Sequence, residues 1–266
     1  MGRVARALIV HELVERTRDR WVLVSTLLFA LLAAGITLYG RSAADSEALV
    51  TAPSLVTLSS LLVPLVALVL GHDAIVGERE RHTLGLLLSL PVSRGEVLLA
   101  KFVGRLLALG LAIGLGLGSA ALLLGGAQRG LLLSLVPPTL LLGASFLSIG
   151  MLLSVMTRRH ATAASLAVTT WFLLVFFYDL GLLALLVGTG GAIGQGAIAW
   201  LVHLNPAGLY RMTLMARLVG TGSLSDLGLA VALPGAAAQA AIWAAWIGGP
   251  LVVGAAMLLR RRAVTA

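Results

Sequence analysis

Charged residues fall in clusters separated by long neutral stretches. The runs Trp21–Gly40, Ala48–His72, Leu106–Gln128, Gly130–Thr157, His160–Tyr178, Leu180–Tyr210 and Leu227–Leu259 contain no Asp, Glu, Lys or Arg. A helix needs about 20 apolar residues to cross a bilayer. That length predicts spans at 21–39, 54–74, 103–124, 132–156, 161–186 and 238–259, the fifth admitting one charge, Asp179. No alternating strand pattern is present, and backbone in lipid must satisfy its own hydrogen bonds, so the spans are helices. The run from Leu180 to Tyr210 is different. It holds Gly188, Gly190, Gly191, Gly194 and Gly196, then Asn205-Pro206, and glycine and proline at that density break a helix. Its apolar pieces, Ala197–Leu204 and Gly208–Val219, are too short to cross. They predict re-entrant or interfacial helices within an outer-face broken-helix segment, 187–237.

Composition sharpens this picture. Of 266 residues, 59% are hydrophobic and 11% charged, against about 25% charged in ordinary soluble domains. Too little polar surface remains to coat a water-soluble globule, so the class is an all-α membrane protein. The net charge of +8 reports topology before it reports nucleic acid. With the N-terminus inside, the clusters Arg3–Arg20, Arg79–Arg105, Arg158–Arg159 and Arg260–Arg262 are cytoplasmic. Only Arg41, Arg129, Arg211 and Arg217 lie outside. Six spans with cytoplasmic N- and C-termini satisfy the positive-inside rule, and a seventh would put the last cluster on the wrong side. The first 20 residues are too charged to open a signal peptide. They predict an amphipathic elbow helix at 1–20, with Val4, Leu8, Ile9 and Leu13 on the buried face and arginines on the other. The alternative is a frayed terminus. Nothing divides the chain, so 1–266 reads as one membrane domain.

Several chemistries are excluded. There is no GxxxxGK[ST], so the chain cannot hydrolyse ATP alone. Zero cysteines remove disulfides and thiolate sites. Gly143-Ala144-Ser145-Phe146 resembles the serine motif of rhomboid proteases, but the last span, 238–259, has no histidine to serve as its base. Met212 and Met215 with His203 offer soft ligands but no third well-placed one, so no metal site is assigned. Gly110, Gly114 and Gly118 form a small-residue ridge that predicts close helix packing in span three. Asp179, an ionisable residue inside a span, is a functional candidate by default. Snorkelling to the outer interface would explain it equally.

The informative stretch joins spans two and three, from Gly71 to Lys101. A charged helix end leads to a short apolar helix, Thr83–Leu90, which Pro91 stops. Ser93 can N-cap the next helix, with Glu96 completing a capping box. A short apolar helix at a membrane rim is either a knob for a partner's groove or a helix resting in the lipid interface.

The pattern E-x-E-x-x-T-L-x-x-L-L-S-L-P-V-S-R-x-E-x-x-x-x-K is carried by Glu78, Glu80, Thr83, Leu84, Leu87, Leu88, Ser89, Leu90, Pro91, Val92, Ser93, Arg94, Glu96 and Lys101. It resembles the coupling segment of ABC-2 type transporter permeases. Those permeases commonly carry Gly before the Thr, where this chain has His82. The elbow helix, six spans and broken segment, with Asn205 and Pro206, agree with the same family. The resemblance implies a coupling segment at 76–100 that engages a separate ABC ATPase through the residues from Glu78 to Glu96. It also implies two ATPase copies binding ATP and Mg, a second copy of this chain, and a multi-pass place in the bacterial inner membrane. This chain itself would bind no cofactor, catalyse nothing and contact no nucleic acid. Within the family, Gly71-His72-Asp73-Ala74-Ile75, Phe176-Phe177-Tyr178-Asp179-Leu180 and Leu204-Asn205-Pro206 are similar to permeases that serve maturation of the copper sites of nitrous oxide reductase in denitrification. That subgroup implies a periplasmic accessory protein on the outer face. The alternatives are an ABC-2 exporter of a drug, lipid or saccharide, and a permease that transmits motion without passing cargo.

Overall fold

The computed structural model describes residues 2–18, 47–89, 91–122, 126–190, 193–218 and 233–260, with a few isolated positions between 24 and 35. All regular structure among them is helical. Helix α1 spans Arg3–Thr17, α2 Glu47–His72, α3 Val76–Glu80, α4 Leu84–Leu88, α5 Arg94–Leu122, α6 Gly126–Ser134 and α7 Val136–Met156. Helix α8, His160–Phe172, runs through a π-helical turn, Leu173–Phe177, into α9, Tyr178–Gly188. Helices α10, Gln195–Leu204, α11, Pro206–Leu218, and α12, Ala236–Arg260, complete the described chain.

Five helices are long and apolar enough to cross a membrane: Pro53–Glu80, Arg94–Leu122, Leu132–Met156, His160–Gly188 and Ala236–Arg260. They match the second to sixth predicted spans. The first, 21–39, lies largely outside the described residues.

Helix α7 is the centre of the bundle and packs against α2, α5, α8, α11 and α12. Its sequence has no polar face, and a helix apolar all round is a buried one. Close approach is set by glycines. A Cβ on Gly71 of α2 would lie 2.8 Å from the Leu147 carbonyl oxygen and 2.9 Å from Gly150 Cα of α7. The two backbones therefore touch where only glycine fits. A Cβ on Gly104 of α5 would meet Glu12 Cβ at 2.7 Å and the Ile9 carbonyl at 3.0 Å, which brings α1 against α5. Among the described residues the ridge predicted to pack tightly plays no such part. Gly110 meets only Leu140, and Gly114 and Gly118 have open space beside them.

Two further predictions change. Helix α1 turns inward the face that Val4, Leu8, Ile9 and Leu13 mark, all four half-buried, but charged residues lie deepest on that face, Arg16 among them, which was expected on the other side. Ala5, Glu12 and Arg16 are its most buried residues, while Val10 and Val14 are exposed. The cause is that Glu12 and Arg16 find charged partners on α5 and beyond the end of α2. The short apolar helix is also shorter than Thr83–Leu90, because the Thr83 hydroxyl turns back to bond Glu78. Leu90 and the side chain of Leu88 lie outside the described residues.

Candidate functional site

The predicted coupling residues gather at one end of the bundle, where α3 and α4 sit. Helix α3 begins where the Ser154 hydroxyl of α7 accepts the Ile75 and Val76 backbone N–H groups at 2.9 and 3.0 Å. This supplies from another helix the cap that Ile75 cannot. Helix α3 ends in a Schellman turn. The Thr83 N–H donates to the Glu78 carbonyl at 3.0 Å and the His82 N–H to the Arg79 carbonyl at 3.2 Å. His82 occupies the left-handed position with φ +59°, the place glycine ordinarily takes in this motif. The departure from the family pattern thus falls at the residue whose backbone is under strain.

Two of the three acids predicted for coupling, Glu78 and the exposed Glu80, bond to neighbouring helices. Glu78 accepts from Lys101 Nζ of α5 at 2.9 Å and from the Thr83 hydroxyl. Glu80 accepts the His160 backbone N–H at 2.6 Å, capping the first turn of α8 from outside. Arg79 donates to the Thr157 carbonyl at the end of α7. After α4, the Ser93 N–H donates to Glu96 at 2.9 Å and the Glu96 N–H to the Ser93 hydroxyl at 3.2 Å. This is the reciprocal capping box, and it starts α5. Arg94 donates to the Leu258 carbonyl of α12 at 2.7 Å. The segment is therefore tied to four long helices at once.

Between these ties α4 projects. Leu84 packs on the core, while Leu86 is 75% exposed. Pro91 is exposed and Val92 half-buried. Leu87 lines a cavity of about 460 Å³ with Leu8 and His11 of α1 and Val97 of α5, floored by Glu12, Glu78 and Lys101.

Beneath that cavity lies a buried charge cluster. Glu12 accepts from Arg105 Nε at 2.6 Å, Lys101 Nζ at 2.9 Å and Arg16 Nε at 3.4 Å. Asp73 accepts from Arg16 at 3.1 Å and from Arg105, and Arg105 also donates to the Leu70 carbonyl. With Glu78 the acids number three, matching Arg16, Lys101 and Arg105. Such neutrality is what allows charge to be buried at all. Burial alone would raise the Glu12 carboxyl, but Arg105, Lys101 and Arg16 outweigh it and hold its pKa down to about 2. The arrangement makes α1, the end of α2, α3 and α5 one rigid body.

Sequence patterning missed Glu12, Arg16, Asp73, Arg105 and Leu86. A signal was present. Glu12 and Arg16 share an i, i+4 face, as do Lys101 and Arg105, and Lys101 is the only lysine.

The other predicted residues lie elsewhere. Asp179 of α9 pairs with Arg211 of α11. Asn205 accepts the Ala207 N–H at 3.0 Å and donates to the Leu174 carbonyl, inside the π-helical turn, at 2.6 Å. With Pro206 at the first helical position it starts α11. A Cβ on Gly208 would clash with the Val202 carbonyl oxygen, so α10 and α11 fold tightly on each other. The Ser145 hydroxyl donates to the Leu141 carbonyl of its own helix at 3.0 Å. His203 is buried with Nδ1 donating to the Ala199 carbonyl at 2.5 Å, and Met215 packs on the core.

The family model of the ABC-2 family transporter proteins matches residues 6–263. The chain is 41% identical over 266 residues to a Stutzerimonas stutzeri protein named probable ABC transporter permease protein NosY, covering 94% of this chain and 96% of that relative. It is 39% identical over 265 residues to a Pseudomonas aeruginosa protein of the same name, with the same shares covered. The chain therefore belongs to the ABC-2 family, as a multi-pass membrane permease of an ABC transporter.

Proposed function

We propose that this permease converts nucleotide-driven movement of a separate ATPase into movement of its membrane helices, through α4 as the knob. The observation that supports this is the contrast between an exposed Leu86 and a segment otherwise bonded to α5, α7, α8 and α12. Force on α4 would reach the ends of several spans together instead of being absorbed by a loop. Two discrete arrangements biased by the partner's nucleotide state are then enough for coupling. On this reading ATP and Mg are held by two ATPase copies, and this chain binds no cofactor. It works as a homodimer in the bacterial inner membrane, with six spans, both ends in the cytoplasm and α1 as an elbow helix.

We further propose that the movement serves a periplasmic accessory protein in copper-site maturation of nitrous oxide reductase. This follows from the subgroup resemblance and agrees with the names of the two relatives. The test is a mild-detergent pull-down from the host with partners identified by mass spectrometry, run beside Leu86→Asp. A Walker-motif ATPase together with a periplasmic copper-pathway protein is the expected recovery. Leu86→Asp should lose the ATPase while staying in the membrane. Recovery of the ATPase without the periplasmic protein would favour an exporter. Normal function of Leu86→Asp would refute α4 as the knob.

A further inference from the structure

A second cavity lies at the end of the bundle opposite the coupling segment. Arg94 meets α12 at Leu258, near its last turn, so Ala236 at its start is at the far end. Helix α7 likewise begins there, since its other end meets Arg79. The cavity, about 300 Å³, opens between the first turns of α7 and α12 and the last turns of α11. Arg217, Thr213 and Gln239 supply its polar lining, and Pro138, Leu141 and Trp243 are among its apolar residues.

Its polar side lacks internal satisfaction. Arg211, on the same helix as Arg217, is neutralised by Asp179. Arg217 is exposed and has no ion pair or hydrogen bond among the described residues. The Thr213 hydroxyl is buried and also has no hydrogen-bond partner. Gln239 spends one amide N–H on the Pro234 carbonyl at 2.9 Å, and Tyr210 donates its hydroxyl to Thr139 at 2.9 Å, so neither neutralises the arginine. An exposed guanidinium at the cavity, with no partner among the described residues, suits a phosphate oxyanion. The apolar side, with Trp243 about two turns into α12, suits the acyl chain below a headgroup.

We propose that this cavity binds the phosphate of an anionic phospholipid, with Arg217 holding the headgroup and Leu141 and Trp243 lining the chain. The proposal rests on the cavity alone and is independent of the ATPase reading.

The test is native mass spectrometry of the delipidated full chain titrated with dioleoylphosphatidylglycerol, with inorganic phosphate in a parallel series. The expected result is one saturable lipid, weakened about three- to tenfold in Arg217→Gln and recovered in Arg217→Lys. Leu141→Trp, which fills the apolar side, should weaken the lipid as well. Displacement of the lipid by inorganic phosphate, with Leu141→Trp without effect, would keep the anion site and make free phosphate its source. Equal retention by the wild type and Arg217→Gln, both folded by thermal denaturation, overturns the proposal.

Discussion

Glu12→Gln tests the buried cluster, because it keeps the shape of the side chain and removes one charge. Glu12 is 2% exposed and receives Arg105 at 2.6 Å and Lys101 at 2.9 Å. Two routes give the size of the effect. Depression of its pKa from 4.5 to about 2 corresponds to about 3 kcal/mol at 1.36 kcal/mol per unit. Turning its ion pairs with Arg105 and Lys101 into hydrogen bonds from those cations to a neutral amide loses about 2–4 kcal/mol. Both fall near the range for breaking a buried ion pair. The expected fall in thermal midpoint in detergent is about 6–12 °C, at 2–4 °C per kcal/mol. Adding Lys101→Met restores charge balance, so the double variant should be more stable than the sum of the singles predicts. Acid provides a second readout. The folded pKa of Glu12 lies below its unfolded value, so its contribution is complete above about pH 4.5 and is lost as pH falls towards 2. The wild type should weaken through that window, and Glu12→Gln should weaken less. A midpoint within about 1 °C of wild type, with the same acid limb, would refute the cluster as a structural hub.

His82→Gly relieves a left-handed residue at the Schellman turn and should stabilise the chain by about 1 kcal/mol, read as a raised thermal midpoint. A lowered midpoint would show that the turn holds His82 for another reason. Gly208→Ala places a Cβ against the Val202 carbonyl and should cost about 1–3 kcal/mol, with faster proteolysis between α10 and α11 as the direct check. Asp179→Asn breaks a half-exposed pair with Arg211 and should cost no more than about 1 kcal/mol. Loss of function at normal expression and stability would instead give Asp179 a functional role.

The spans were legible because their signal is local. Runs of neutral residues of the right length mark helices 53–80, 94–122, 132–156, 160–188 and 236–260 whatever packs beside them. The Asn205-Pro206 break and the Ser93/Glu96 box were legible for the same reason, since each acts within a few residues of chain. The charges on the buried face of α1 were not. Hydrophobic periodicity sorts residues by their own preference for water, and it places Glu12 and Arg16 outside. Their burial depends on Lys101, Arg105 and Asp73, distant in sequence, and on the absence of a Cβ at Gly104. The glycines divide likewise. Gly110, Gly114 and Gly118 have the pattern of a packing ridge, yet the backbone contacts fall at Gly71, Gly104 and Gly150, because contact is a property of two helices and spacing a property of one.

By itself, then, the sequence determined a multi-pass helical membrane protein of the ABC-2 type, with a short apolar helix between two charged helix ends. Length, hydropathy and turn chemistry are written residue by residue. Only the tertiary structure decided that Glu78 and Glu80 are ties to neighbouring helices, that Leu86 is an exposed leucine of α4, and that a neutral six-membered charge cluster joins α1 to α3 and α5. A buried charge is tolerable only beside its counter-charge, and which charges become neighbours is settled when the helices pack.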